Sequence, residues 1–226
     1  VYLHLPIYLR VMIENINYYQ LSRKEMLPFV PLEAKKILEV GCGDGIFLGE
    51  LAKRQNAEIW GVELEPSAAI KAKSKTENIF NLSIEEAITQ LPKNYFDCII
   101  FNDVLEHLSD PNKVLKLMHQ LLAQQGCIVV SIPNVRFLPQ IYHYIVQKDW
   151  KYDPNGGILD ITHLRFFTKK SIIRLFNETG YTIEKIEGIN PIELLKYKVI
   201  INLSLGFLED TRFMQYACVV RNSIDK

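Results

Sequence analysis

The chain reads as an α/β protein with a doubly wound, mostly parallel sheet, and three observations carry that expectation. Short apolar runs alternate with helix-like patterns along most of the 226 residues, the signature of a parallel sheet with helices on both faces. A glycine-rich turn, Gly41-Cys42-Gly43-Asp44-Gly45, separates the first such run from the first such helix. An acid, Glu63, closes the next apolar run twenty residues beyond Gly43. The length suits a single domain spanning 1–226 better than two.

The elements follow in order. Residues 7–16 and 19–29 read as N-terminal helices ended by Pro28 and Pro31, a helical cover over residues 1–31. Ile37, Leu38 and Val40 make a short buried strand broken by glycine, and the next helix, 45–54, carries Ile46, Phe47, Leu48, Leu51 and Ala52 on one side. Further strands are predicted at 58–62, 79–82, 96–101 and 127–132, with helices at 67–75, 84–90 and 112–124 between them. Thr168 reads as the N-cap of a helix over 169–178, and Gly180 as its C′ stop. Strands at 181–187 and 213–221 complete the sheet. Residues 134–167 are too long for a simple strand-to-helix link, which usually takes about 2–6 residues. They leave the carboxyl end of the fifth strand, the edge where open α/β sheets bind ligands, and so read as a lid insertion.

Composition narrows the function. Lys+Arg and Asp+Glu number 26 each, so no net field draws the protein to nucleic acid or an anionic membrane. The four cysteines are scattered without C-x-x-C spacing, so neither a metal nor a disulfide framework is expected, and a reducing, cytoplasmic setting fits. No basic start leads into a long apolar stretch, so no secretory leader is expected, although a chain opening on Val1 does not display its native start. The apolar region 192–207 contains Glu193, Lys196 and Lys198 and is too short and polar to span a bilayer.

The glycine turn is a nucleoside-cofactor pattern. Glycine permits unusual φ/ψ and lets a ligand lie against the backbone, the helix after it offers free N–H groups, and Glu63 stands where an acid accepts both hydroxyls of a ribose. The pattern is E-x-G-x-G-x-G, not the G-x-G-x-x-G of dinucleotide sites. Glu39, two residues before Gly41, would repel a pyrophosphate and attract an ammonium. A cofactor with an adenosine and an amino acid end fits both facts, which describes S-adenosylmethionine (SAM).

With these residues the chain resembles the class I SAM-dependent methyltransferases. FDCIIFNDVLEHLSDP, residues 96–111, is similar to that family's fourth-strand motif, and LLAQQGCIVVSIPN, residues 121–134, to its fifth strand. DITHLRFFTKKSIIRLFNETGY and YYQLSRKEMLPFVP resemble segments of methyltransferases from bacterial surface-polysaccharide gene clusters. The resemblance implies a Rossmann-like seven-stranded sheet with an antiparallel last strand, and methyl transfer from SAM to a small-molecule acceptor. That acceptor is expected to be a hydroxyl oxygen, on a sugar or surface-glycan precursor. Glu39 would reach the methionine ammonium, Gly41, Gly43 and Gly45 would admit the ligand, and Glu63 would hold the ribose. Leu64, Ser83 and Ile84 would lie by the adenine, and Asn102 by the methionine end. Asp103 either joins Asn102 or caps the next turn.

A hydroxyl nucleophile must lose a proton, a task that suits histidine near neutral pH. His107, one turn beyond the fourth strand, is the first candidate, with packing against a neighbouring helix as its structural alternative. His163, paired with Asp160 or Arg165, is the second, with a loop-anchoring hydrogen bond as its alternative. Other functions stay open at this level: a nicotinamide-dependent oxidoreductase, a SAM-binding subunit without catalysis, and an N- or nucleic-acid methyltransferase. No transmembrane segment or nucleic-acid partner is expected, and nothing in the sequence fixes an oligomeric state.

Overall fold

The computed structural model describes residues 22–154 and 156–223. Seven strands form one sheet: β1 (Lys36–Val40), β2 (Glu58–Val62), β3 (Ile79–Phe80), β4 (Phe96–Asn102), β5 (Leu122–Pro133), β6 (Tyr181–Pro191) and β7 (Phe213–Asn222). Their order is β3-β2-β1-β4-β5-β7-β6. The first five pair in parallel, and β7 runs antiparallel to both β5 and β6. This is the predicted doubly wound sheet with an antiparallel last strand.

The strands read as continuous apolar runs because both faces of the sheet are buried. Leu38, Val40, Ile99, Phe101, Ile128 and Val130 point into one core, while Ile37, Cys98, Ile100, Cys127 and Val129 point into the other. The helices are α1 (Ile46–Arg54), α2 (Pro66–Ala72), α3 (Ile84–Ala87), α4 (Pro111–Met118), α5 (Leu138–Tyr142), α6 (Lys169–Glu178) and α7 (Leu195–Leu203). Val114, Leu115 and Met118 of α4 and Ile172, Leu175 and Phe176 of α6 cover the first face. Phe47, Leu48 and Leu51 of α1, with Met26 and Phe29, cover the second. The period of two along a strand therefore sets Glu39 of β1 and Asn102 of β4 on the same face, at the carboxyl edge.

Several predicted boundaries move. The helix predicted over 112–124 ends at Met118, because Leu122 already pairs with Phe96 and β5 begins there. The helix over 84–90 is the single turn of α3, and that over 67–75 stops at Ala72. The strand at 79–82 is only Ile79–Phe80, because the Asn81 side chain turns back to the carbonyls of Glu63 and Leu64. In contrast β6 and β7 run past their predicted ends, to Pro191 and Asn222. Thr168 caps α6 through a reciprocal pair with Ser171, and Gly180 follows at φ +85°.

The helix predicted over 7–16 lies outside the described residues, as does the start of that over 19–29. The described part of the latter is a 3-10 helix, Lys24–Phe29, bounded by Arg23 at φ +47° and holding Pro28, which has no N–H for a longer ladder. Residues 134–167 contain α5, a π turn at His143–Gln147 and irregular chain that returns to β5 through the Asn134–Phe167 bridge. Among the described residues, no helix is long and apolar enough to cross a membrane.

Candidate active site

The carboxyl ends of β1, β2 and β4 meet at the glycine turn. The chain leaves β1 with the Gly41 N–H on the Val62 carbonyl at 2.8 Å and passes through Gly43 at φ +53° and Gly45 at φ +76°. A Cβ on Gly45 would stand 2.9 Å from the Ala72 Cα, so glycine there permits both the left-handed N-cap of α1 and close packing on α2.

Glu39 is 2 % exposed. One carboxylate oxygen accepts from Asn102 Nδ2 at 2.9 Å, while the other, and the Asn102 Oδ1, have no donor. Two buried acceptors on one face are left short of hydrogen, a deficit that a ligand ammonium would meet. Burial pushes the Glu39 carboxyl up to about 8, opposed by the Asn102 hydrogen bond and the Arg23 charge. A positively charged ligand would restore its charged form.

Glu63, 7 % exposed, clamps the turn from the end of β2. Its Oε2 accepts from the Gly43 N–H at 2.7 Å, and its Oε1 from the Glu65 N–H at 2.8 Å. Each oxygen keeps a second lone pair for a diol. Leu64, beside it, turns its side chain outward. Ser83 and Ile84 follow β3 at the start of α3. The Ser83 hydroxyl is held in a capping box with Glu86 at the start of α3, and the Ile84 side chain is buried in the core.

Asp103 does not cap the following turn, which starts at Val104 without a side-chain cap. It sits at φ +52° and is 6 % exposed. Its carboxylate accepts from Ser131 Oγ at 2.6 Å and Gln215 Nε2 at 2.5 Å, and pairs with the Arg23 guanidinium. Asp103 therefore ties β4, β5, β7 and the N-terminal segment together at this edge.

His107 ends the 3-10 turn Leu105–His107, one turn past β4 as predicted. Its Nδ1 lies 3.3 Å from the Thr162 carbonyl and 3.0 Å from Thr162 Oγ1. A carbonyl only accepts, so Nδ1 carries the proton in the neutral ring and Nε2 the lone pair. Burial, then the neighbouring His163, lower the His107 pKa. His163 is not paired with the Asp160 or Arg165 side chains: Asp160 accepts from Thr162, and Arg165 bonds the Leu164 and Ser109 carbonyls. Its Nδ1 donates to the Ile158 carbonyl at 3.0 Å, its ring meets His107 edge-on at 4.7 Å, and its Nε2 stands 3.9 Å from Glu106 Oε1.

Glu106 was not singled out from the sequence. It is 1 % exposed and neither carboxylate oxygen has a donor. Burial holds its pKa well above the ordinary carboxylate range, with the Asp103 charge adding to the effect. The sequence signal was its place in NDVLEHL beside His107; its isolation from donors exists only in the fold. Arg23, Ser131, Gln215 and Thr162 were likewise invisible, because each acts across long stretches of chain.

A sheet of this order, with a glycine turn after β1 and an acid after β2, defines a class I SAM-dependent methyltransferase fold. A family model described as a methyltransferase domain matches residues 12–186, and the chain belongs to that family. Its cofactor is SAM. A SAM-dependent methyltransferase from Archaeoglobus fulgidus superposes with a TM-score of 0.69 at 20 % identity, covering 95 % of this chain and 98 % of that one. One from Mesorhizobium loti gives 0.60 at 16 % identity, covering 88 % and 96 %. Among curated proteins, the ubiquinone biosynthesis O-methyltransferase of Aeromonas salmonicida is 25 % identical over 78 % of this chain and 76 % of its own length. That of Neisseria meningitidis is 24 % identical over 70 % and 68 %. The likeness to surface-polysaccharide methyltransferases is not among these findings.

Proposed function

We propose that the protein transfers the methyl group of SAM to a hydroxyl oxygen of a small molecule held between the turn after β4 and a lid formed by residues 134–167. The observation that carries this reading is the meeting of Glu106 and His107 with His163 of that segment, beside the edge where Glu39, Glu63 and the glycine turn converge. When bound, SAM supplies an electrophilic methyl on a good leaving group. Glu39 and Asn102 offer acceptors for its ammonium, Gly41, Gly43 and Gly45 let it lie against the backbone, Glu63 accepts from the ribose, and Leu64 covers the adenine. The chain's remaining work is to hold the acceptor oxygen in line with the methyl and to take up its proton. Positioning of this kind contributes up to about 7–11 kcal/mol, and the His107–His163–Glu106 group is where the proton is handled. The Arg23–Asp103 pair anchors the segment just before Lys24–Phe29 to the same edge.

An oxygen acceptor is supported by the names of the curated relatives, which favour a hydroxylated aromatic precursor over the sugar that the sequence resemblance implied. The test is release of S-adenosylhomocysteine from purified protein and SAM, with matched panels of phenols and sugars. Turnover with phenols alone supports the reading. Turnover with sugars alone restores the glycan acceptor, and SAM binding without turnover on any hydroxyl overturns O-methyl transfer.

A further inference from the structure

The Glu106–His107–His163 group has a property that proton transfer alone does not explain: it sets two imidazoles around a buried carboxylate that accepts from no donor. Both imidazoles spend their Nδ1–H on the segment 134–167, His163 on the Ile158 carbonyl at 3.0 Å and His107 on Thr162. The His163 lone pair is then on Nε2, 3.9 Å from Glu106 Oε1, and the Glu106 carboxylate, shut away from water, has no hydrogen-bond donor on either oxygen. One ligand-type atom from each of the three residues lies within 4.8 Å of the others. An imidazole held through Nδ1–H by a backbone carbonyl, with Nε2 turned to a carboxylate, is the arrangement that supports metal-binding histidines.

We propose that Glu106, His107 and His163 bind one divalent transition-metal ion, of the zinc class, that ties residues 134–167 to the turn after β4. Two imidazoles and a carboxylate suit zinc and its first-row neighbours and do not suit magnesium or calcium, which prefer all-oxygen sites. The charged groups around Glu106 are Asp103, Asp160 and Arg23, and Arg23 is already paired with Asp103, so the surroundings favour a cation. Two ligands on one tetrahedral ion sit roughly 3.4 Å apart for bonds of about 2.0–2.1 Å, close to the 3.9 Å between His163 Nε2 and Glu106 Oε1. Three protein ligands leave room for an oxygen of the acceptor. That last role rests on the proposed acceptor position; the binding of the ion does not.

The test uses the full chain, stripped with EDTA and titrated with Zn²⁺ alone, followed by calorimetry and melting temperature, and with Co²⁺ followed by its visible spectrum. The expected result is one ion per chain, a higher melting temperature with Zn²⁺, and a Co²⁺ spectrum of tetrahedral or five-coordinate type. Glu106→Gln and His163→Ala should each weaken Zn²⁺ binding by more than roughly tenfold, while His119→Ala, remote from the group, should not. Because Glu106→Gln keeps size and shape, its melting curve without metal shows whether it folds. Absence of Zn²⁺ binding by the unaltered chain, or binding that survives in Glu106→Gln and His163→Ala, overturns the proposal. Methyl transfer by the stripped protein at an undiminished rate without metal uptake would overturn it while leaving the methyltransferase reading intact. Metal uptake without methyl transfer would do the reverse.

Discussion

Replacing Glu63 with alanine tests the cofactor edge most directly, because the structure gives the side chain two separable tasks. Its carboxylate accepts the Gly43 N–H at 2.7 Å and the Glu65 N–H at 2.8 Å, which holds the glycine turn to β2 before any ligand arrives. Hydrogen bonds to a charged group contribute about 1.5–3 kcal/mol. Water can take over part of this at the rim, so the loss in stability should total about 1.5–3 kcal/mol. For a chain of this size each kcal/mol moves Tm by roughly 2–4 °C, giving an expected fall of about 3–12 °C. The proposed ribose contact is a further charge-assisted pair, and its loss should weaken SAM binding roughly ten- to a hundredfold. Calorimetric titration with SAM and a melting curve on the same preparation measure both. Glu63→Gln, which keeps one acceptor oxygen, should fall between the two proteins. A lower Tm with an unchanged Kd would remove Glu63 from the ribose, and an unchanged Tm would remove the clamp.

Glu39 should make both stability and binding depend on pH. Its carboxyl is raised to about 8 by burial, so between the ordinary value of 4.5 and about 8 the folded chain holds a proton that the unfolded chain has released. Its contribution to unfolding free energy therefore falls as pH rises through that window. SAM binding should release a proton and strengthen towards pH 8, by at most about tenfold per unit. Titrations in two buffers of different ionisation enthalpy detect that proton, and its absence would place the ammonium elsewhere. Gly43→Val adds a branched side chain at φ +53° and should abolish SAM binding in a chain that keeps its circular dichroism; normal affinity would move the cofactor away from this turn. His107→Ala should keep SAM affinity within a few-fold and lower turnover by about 10²–10⁴. An unchanged rate per bound cofactor would make His107 a packing residue.

The cofactor edge was legible because its causes are local. Three alternate glycines after a buried strand determine a tight turn through backbone conformation alone, and the acids before it and at the end of the next run stand at its edge by short-range spacing. The alternation of apolar runs likewise determined a parallel sheet, since strands buried on both faces admit little else. Boundaries were less legible where pairing overrides propensity: Leu122 reads as helix until Phe96 claims it as a strand partner. That Ser83 would close a capping box with Glu86 and Ile84 would enter the core was not read from the sequence, since neither residue carries a mark of which way it faces. The Asp103 network depended on Arg23, Ser131 and Gln215 arriving from three separate segments. The same holds for Glu106, whose place beside His107 in the sequence says nothing of its burial. Only the return of residues 158–163 over the turn after β4 sets an imidazole beside it and excludes the water that would have satisfied its oxygens. Local backbone chemistry is written in the order of residues, whereas desolvation depends on what distant parts of the chain come to cover.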